Sequence, residues 1–301
     1  MSIPTVSVIM PAYNSRRYVG QTVQSILDQT LGDFEFIIVD DGSTDGTLGV
    51  LQQYAAKDPR ITLISRPNTG IVGACNDALA QTRGEFVARI DSDDVAMPNK
   101  HARQVAYLRE HPECVAVGTF VETIDPYNGV LERLVHQVEH ADIDRELMRG
   151  RGFAMVNPSV MMRGEALKRV GGYRKQYETA EDLDLFLRLG EVGKLHNLPE
   201  YLLQYRQHYE SINHTKHDLQ RNMKRGMMEE AYARRGVPMP PDMVFTRMYP
   251  PPKFEQTCRW GWMALQKGNK RIARAHAFDA LRMHPMHTGA WKLFLCAARG
   301  H

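Results

Sequence analysis

Val6-Ser-Val-Ile-Met10 is almost wholly apolar and runs into Pro11, after which Tyr18, Val23, Ile26 and Leu27 recur at helical spacing. A second run, Phe34-Glu-Phe-Ile-Ile-Val39, gives way to Asp40-Asp41-Gly42-Ser43-Thr44-Asp45-Gly46 and then to Leu48, Leu51 and Tyr54, again one face of a helix. Ile61-Thr-Leu-Ile64 opens a third unit, whose helix starts at Asn68-Thr69-Gly70 and carries Val72, Asn76, Ala78 and Leu79. Glu85 to Ile90 is a fourth strand, feeding Pro98 and a helix through Val105 and Leu108. Strand and helix alternating with short connections predict an α/β fold, a mostly parallel sheet flanked by helices on both faces. Beyond it, Asn157-Pro-Ser-Val-Met-Met162 reads as a returning strand, Gly164 to Val170 as a helix, and Glu181-Asp182 as the start of a helix carrying Leu183, Phe186, Leu187 and Leu189.

The last third changes character. Pro238-Met-Pro-Pro241 and Pro250-Pro-Pro252 read as stiff linkers, and the chain after them is helical in period. Trp262, Leu265 and Gly268, then Ala273, Ala277, Ala280, Leu281 and Pro285, resemble part of a tetratricopeptide hairpin, continued by Trp291-Lys-Leu-Phe-Leu295. Charge changes with it: residues 1–216 carry 23 basic and 29 acidic side chains, whereas residues 217–301 carry 15 and 6. The expected organisation is a catalytic domain over 1–215, with a ligand-binding half at 1–96 and a second half at 97–215, and a basic helical region over 216–301. That basic region leaves a peripheral membrane contact open beside the simpler reading of a solvated helix surface.

A chain of 301 residues with 43% hydrophobic content has enough apolar material for a large core. Four scattered cysteines without a C-x-x-C pair argue against a zinc knuckle or a disulfide framework and fit a reducing, cytoplasmic setting. The N-terminus has no basic stretch followed by an apolar one, and no segment approaches a membrane span, so a soluble or peripheral protein is expected. No G-x-x-x-x-G-K-[ST] and no G-x-G-x-x-G after the first strand are present, which weakens P-loop and dinucleotide readings. No feature points to nucleic acid.

Ligands of open α/β sheets bind at the carboxyl ends of the strands. Here those ends carry Tyr13 and Asn14, Asp40 and Asp41, Asn68 and Gly70, and Asp91 with Asp93. Three carboxylates within Asp91-Ser92-Asp93-Asp94 repel one another, and a divalent cation gripping a phosphate would relieve them. A helix N-terminus, where acidic residues oppose the dipole, is the alternative.

In order, Val6-Ser-Val-Ile-Met-Pro-Ala-Tyr-Asn14, Val39-Asp-Asp-Gly-Ser-Thr-Asp-Gly-Thr47, Arg66-Pro-Asn-Thr-Gly70, Ala88-Arg-Ile-Asp-Ser-Asp-Asp94 and Glu181-Asp-Leu-Asp-Leu-Phe186 resemble the motifs of the family 2 glycosyltransferases of the GT-A fold. The resemblance covers about residues 3–210. It implies an enzyme that moves one sugar, hexosyl or N-acetylhexosaminyl, from a nucleotide sugar, UDP-linked in most members, to a glycan or glycolipid acceptor in cell-surface glycan assembly. Pro11, Ala12, Tyr13, Asn14, Asp40, Asp41, Asn68, Gly70, Arg89 and Asp91 would line the nucleotide-sugar site, with Asp40 or Asp41 on the uracil. Asp93, with Asp91, would hold Mn²⁺ or Mg²⁺ on the diphosphate, and His208 in Tyr205-Arg206-Gln207-His208 would join them.

The same resemblance makes Asp182 the base that takes the acceptor proton, with Glu181 as its substitute, and turns Asn157 and Ser159 toward the acceptor. Thr179-x-x-Asp182 also matches a helix capping box, which would lower the carboxylate's pKa rather than fit it for base work. Gln256-Thr-Cys-Arg259-Trp260 spells the Q-x-x-R-W signature of processive synthases, but the interval from Glu181-Asp182 is about twice theirs and no membrane helix follows. The competing expectation is a sugar-nucleotide-binding or scaffolding protein of the same fold without turnover. Oligomeric state is not set by these patterns.

Overall fold

The computed structural model describes residues 3–209, 217–243 and 251–300. β1 (Val6–Ala12) and β2 (Phe34–Asp40) are buried at every position, as continuous apolar runs in the middle of a covered sheet must be. Each is followed by a helix, α1 (Val19–Leu27) and α2 (Thr47–Ala55), and the third unit supplies β3 (Ile61–Ser65) and α3 (Ile71–Ala80). β4 (Phe86–Arg89) completes a parallel group in the order β3-β2-β1-β4, with Ala12 level with Asp40 and Ile9 level with Arg89. That register brings the polar ends of the strands to one edge.

Beyond β4 the sheet is antiparallel where its pairing is defined. After β5 (Val95–Ala96) and α4 (Lys100–Glu110) come β6 (Cys114–Ile124), β7 (Val130–Leu134), α5 (His140–Leu147), β8 (Met161–Arg163), α6 (Gly164–Val170), α7 (Glu181–Gly190) and β9 (Lys194–Arg206). β8 runs antiparallel to β4 and β6, and β5 antiparallel to β9, in the overall order β3-β2-β1-β4-β8-β6-β9-β5 with β7 beside β6. The predicted strand over 157–162 is only partly formed. Asn157–Ser159 is a 3-10 turn, because Pro158 lacks an N–H for a ladder, and extended pairing begins at Met161.

Two compact units emerge, and they do not divide at residue 215. The first comprises Met1–Val121, Val135–Tyr205 and Asp218–Thr246; the second comprises Glu122–Leu134, Arg206–His217 and Arg247–His301. α8 (His217–Arg234) belongs with the first unit by packing, since Met227, Met228 and Ala231 are fully buried in the same core as Phe186, Leu187 and Leu189. Of the two proline-rich segments expected as linkers, Pro238-Met-Pro-Pro241 lies among the described residues, and Pro250 of the second lies outside them.

The second unit is built on α9 (Lys253–Gln266), α10 (Lys270–Met283) and α11 (Thr288–Arg299). Gly268, at φ +74°, makes the turn between α9 and α10, where only glycine is unstrained. The alanine stripe expected of a helical hairpin is its core: Ala273, Ala277 and Ala280 are fully buried, joined by Leu293 and Ala297. A buried carboxylate ties its turn together, since Asp125 Oδ1 accepts from the backbone N–H of Tyr127 and Gly129, both at 2.8 Å, and Oδ2 meets His276 Nε2 at 2.8 Å. Trp260 of the Q-x-x-R-W sequence packs in this core against Tyr209 and His276, so its tryptophan is accounted for by packing.

Candidate active site

The first strand end is a turn rather than a pocket wall of side chains. Pro11 and Ala12 are buried within β1, while Tyr13 is exposed and Asn14 takes a left-handed conformation at φ +49°. Asn14 is locked there by its own side chain, because Oδ1 accepts from the Thr44 N–H at 2.8 Å while its backbone N–H donates to Ser43 Oγ at 3.0 Å. The first two strand ends are thereby stitched together.

Asp40 and Asp41, interchangeable in the sequence, differ in the structure. Both oxygens of Asp41 are engaged: Oδ1 accepts from Thr69 N–H and Oδ2 from Gly70 N–H, each at 3.0 Å, and Arg66 pairs with Oδ1 at 2.9 Å. Asp41 therefore shapes the 68–70 turn. Asp40 is buried with one oxygen 3.3 Å from the Ser65 hydroxyl, and its Oδ1 has no donor among the described residues. Asn68 is exposed beside them, and Gly70, at φ +92°, is the N-cap of α3.

β4 carries a cation into the site from beneath. Arg89 is fully buried, donates to the Ile90 carbonyl at 2.8 Å and pairs with Asp91 Oδ1 at 2.7 Å. The chain then turns, with Asp94 N–H on the Asp91 carbonyl at 3.3 Å; Asp93 stays partly exposed while Asp94 is fully buried, its carbonyl held by the Thr22 hydroxyl at 2.7 Å. Of the three acids of this run, Asp91 goes to an arginine, Asp94 into the interior, and Asp93 stays partly exposed.

α7 adds two more carboxyl groups. Its N-cap is Ala180, without any side-chain cap, and the Thr179 hydroxyl is turned to Met223 Sδ at 3.2 Å, so the capping box is not formed. Asp182 instead accepts from the Leu183 N–H at 2.7 Å. Asp184 and not Asp182 anchors the helix, clamped between Arg174 and Arg188 at full burial.

Asp91 lies within electrostatic reach of Asp93, Asp182 and Glu181. Burial raises the Asp91 pKa, and Asp93 and Asp182 push it further against the pull of Arg89. Burial lifts Glu181 well above the ordinary carboxylate range, with Asp182 adding to it. Asp182 is also raised by burial, opposed by the Leu183 N–H, by Lys224 of α8 and by Arg89. A cleft in which three carboxyl groups all hold protons more tightly than in water is short of positive charge.

Three neighbours were not singled out by sequence. Tyr205, whose phenol is driven up by burial and then by Asp94, Asp91, Asp93 and Asp182, shares the cleft; its place in the Tyr205-Arg206-Gln207-His208 run was the available signal. Tyr173 is fully enclosed beside Cys75 and Arg89, and burial pushes the Cys75 thiol up to about 12, which makes it an inert packing group. Lys224 had no linear signal at all, lying in a polar helix far along the chain.

The two acceptor candidates separate. Ser159 is fully buried, its hydroxyl accepting from Thr119 N–H at 3.3 Å and its carbonyl from Gln104 at 2.7 Å, so in this structure it packs inside the sheet. Asn157 is buried with an Oδ1 that has no donor among the described residues. His208 is partly exposed and belongs to the second unit.

A divalent ion fits the donor set on chemical grounds. Among the described residues no three His, Cys, Asp or Glu side chains form a ready-made cage. Mg²⁺ and Mn²⁺ at nucleotide sites are held by one or two carboxylates, with the substrate's phosphates completing the shell. Asp93, with Asp91 behind it, offers hard oxygens of that kind in an acid-rich cleft.

An open sheet with a parallel nucleotide-type half, an antiparallel second half and carboxylates gathered at the strand ends defines the GT-A class of sugar transferases. The sequence profile of the family described as Glycosyl transferase family 2 matches residues 7–170, and the chain belongs to that family. The O-antigen biosynthesis glycosyltransferase WbnJ of Escherichia coli is 31% identical over 210 residues, 68% of this chain and 81% of WbnJ. Among solved structures, S. aureus TarS 1–349 in complex with UDP superposes with a TM-score of 0.58 at 19% identity, over 99% of this chain and 92% of that one. The mannosyltransferase PcManGT of Pyrobaculum calidifontis, in complex with GDP-Man and Mn²⁺, gives 0.57 at 20%, over 99% and 81%. At these identities the two structures speak to the fold.

Proposed function

We propose that this family 2 glycosyltransferase is an inverting, metal-dependent enzyme that moves a single hexosyl or N-acetylhexosaminyl residue from a UDP-sugar to a glycan or glycolipid acceptor, on the cytoplasmic side, in the synthesis of a cell-surface polysaccharide. The observation that carries this reading is Asp182, a partly exposed carboxylate whose pKa is raised by burial and whose position is fixed by the Leu183 N–H and not by a capping role. A raised pKa suits a base that must take a proton from a hydroxyl. Relatives support the wider frame, since WbnJ is named for O-antigen biosynthesis and the superposed structures bind UDP or GDP-Man with Mn²⁺.

In this scheme Asp40 offers its undonated Oδ1 to an N–H of the base, while the turn held by Asp41 shapes the wall beside it. Arg89 fixes Asp91 under the donor, and Asp93 with Asp91 holds Mn²⁺ or Mg²⁺. When bound, the ion neutralises the diphosphate and stabilises the charge that develops on it. Asp182 accepts the acceptor proton as the hydroxyl oxygen bonds to the anomeric carbon; the bond to the diphosphate oxygen breaks, UDP leaves, and the configuration inverts. Glu181, whose pKa is also raised by burial, stands next to the base at the start of the same helix.

The test is calorimetric titration of nucleotide sugars with and without Mn²⁺. UDP-sugar binding should appear with Mn²⁺, vanish with EDTA, and be lost in Asp93→Ala even with Mn²⁺ present. Binding indifferent to the ion would remove Asp93 and Asp91 from the role given to them. A protein that only held the donor would bind it normally and show no transfer to any acceptor.

A further inference from the structure

Among the described residues, the exposed large apolar side chains Phe278, Met286, Trp291 and Leu295 gather on α10, α11 and the turn between them. α10 turns Ile272, Ala273, His276, Ala277 and Ala280 inward, which leaves Arg271, Arg274, Phe278 and Arg282 in one exposed row at three- and four-residue spacing. Phe278 is 54% exposed, with the Arg282 guanidinium 5.2 Å from its ring centre. α11 buries Ala290, Leu293 and Ala297 and turns Trp291, Leu295 and Ala298 out, with Lys292 and Arg299 a step further round the helix.

The two rows border on one another. Arg274 of α10 donates to the carbonyls of Ala297 and Ala298 at 3.0 and 3.1 Å, and the Trp291 indole N–H donates to the Pro285 carbonyl at 2.7 Å in the turn joining the helices. At that turn Met286 is 92% exposed. Over residues 253–299 nine Lys and Arg stand against only Glu255 and Asp279, and Asp279 is engaged by the Tyr127 hydroxyl.

We propose that this face docks on an anionic lipid surface, with α11 lying in the interface. Trp291, Leu295 and Met286 enter the boundary between head groups and acyl chains, and Arg271, Arg282, Lys292 and Arg299 meet the acidic head groups. Exposed large apolar side chains next to basic ones are what interfacial helices present, and an indole with its N–H at one edge is suited to that depth. Charge decides for lipid: the partner must be broadly negative and need not match a defined pattern of acids, since the basic groups are spread over two helices and a turn. Among the described residues no helix is long and apolar enough to cross a membrane, so the contact is peripheral. None of these side chains has a part in the sugar-transfer site, so the proposal stands or falls apart from that reading.

The full chain should float with vesicles of phosphatidylcholine mixed with phosphatidylglycerol and stay in solution with phosphatidylcholine alone. Trp291→Ser with Leu295→Ser should weaken that binding roughly tenfold, and Arg282→Glu with Lys292→Glu by a similar factor. Salt near 1 M, where the screening length is about 3 Å, should release the wild type. UDP-sugar affinity and far-ultraviolet circular dichroism should be unchanged in both double variants, which separates loss of docking from loss of fold. Equal binding to neutral vesicles, no binding to anionic ones, or binding that survives both double variants would overturn the proposal. So would capture of this face by an acidic protein from a chain that ignores lipid.

Discussion

Asp182 and Asp184 sit two residues apart on α7 and do opposite work. Asp184 is fully buried between two arginines, whereas Asp182 keeps an open edge and a raised pKa. Replacing Asp182 by Asn keeps the shape and the Leu183 contact but removes the proton acceptor. Transfer should fall by about 10²–10⁴-fold, the usual worth of a general base, with donor affinity unaltered by calorimetry. Unchanged transfer would place the base elsewhere. That acidic residues gather at the strand ends was legible beforehand, from residue type and spacing alone. Their partners were not. Thr179 satisfies the capping spacing yet bonds Met223, and Ser159 reads as acceptor-facing yet is fully buried, because a hydroxyl's direction depends on residues distant in sequence. Asp40 and Asp41 became distinguishable only once the 68–70 turn was seen to use both oxygens of one of them.

The turn before α3 is held by a glycine and an aspartate together. Gly70 has φ +92°, its N–H rests on Asp41, and a Cβ there would run into the Glu178 carboxylate. Gly70→Ala should therefore cost roughly 1–3 kcal/mol in urea unfolding and weaken nucleotide-sugar binding together, because the strain falls on the wall of the site. Stability loss with intact donor affinity would show that the turn is only structural. The first four βα units were legible because buried parallel strands are long apolar runs that alternate visibly with amphipathic helices. The second half was less so. β5 has only two residues and β8 only three, too short to have a period, and their antiparallel pairing is fixed by partners elsewhere in the chain.

Burying Asp91, Glu181 and Asp182 in one cleft makes the molecule's stability depend on pH. Each has a folded-state pKa above its unfolded value, so the folded form binds protons more tightly. Such groups stabilise fully below the unfolded pKa, near 4, and that contribution is lost as pH rises through the raised values. A boundary at residue 215 obscures this coupling, because it assigns α8, which brings Lys224 to Asp182, to the other unit. Melting temperature without metal should accordingly decline from about pH 5 to pH 7, and Glu181→Gln should flatten that decline while melting above wild type at pH 7. Mn²⁺ with a UDP-sugar should restore the loss, since ligands bound only to the folded form add about 2.7 kcal/mol at a hundredfold excess over Kd. The gain should be larger at pH 7 than at pH 5, because the carboxylates must shed their protons to hold the ion. A gain of equal size at both pH values, or one preserved in Asp93→Ala, would mean that these acids do not hold it, and the charge gathered in the cleft would then need another counterpart.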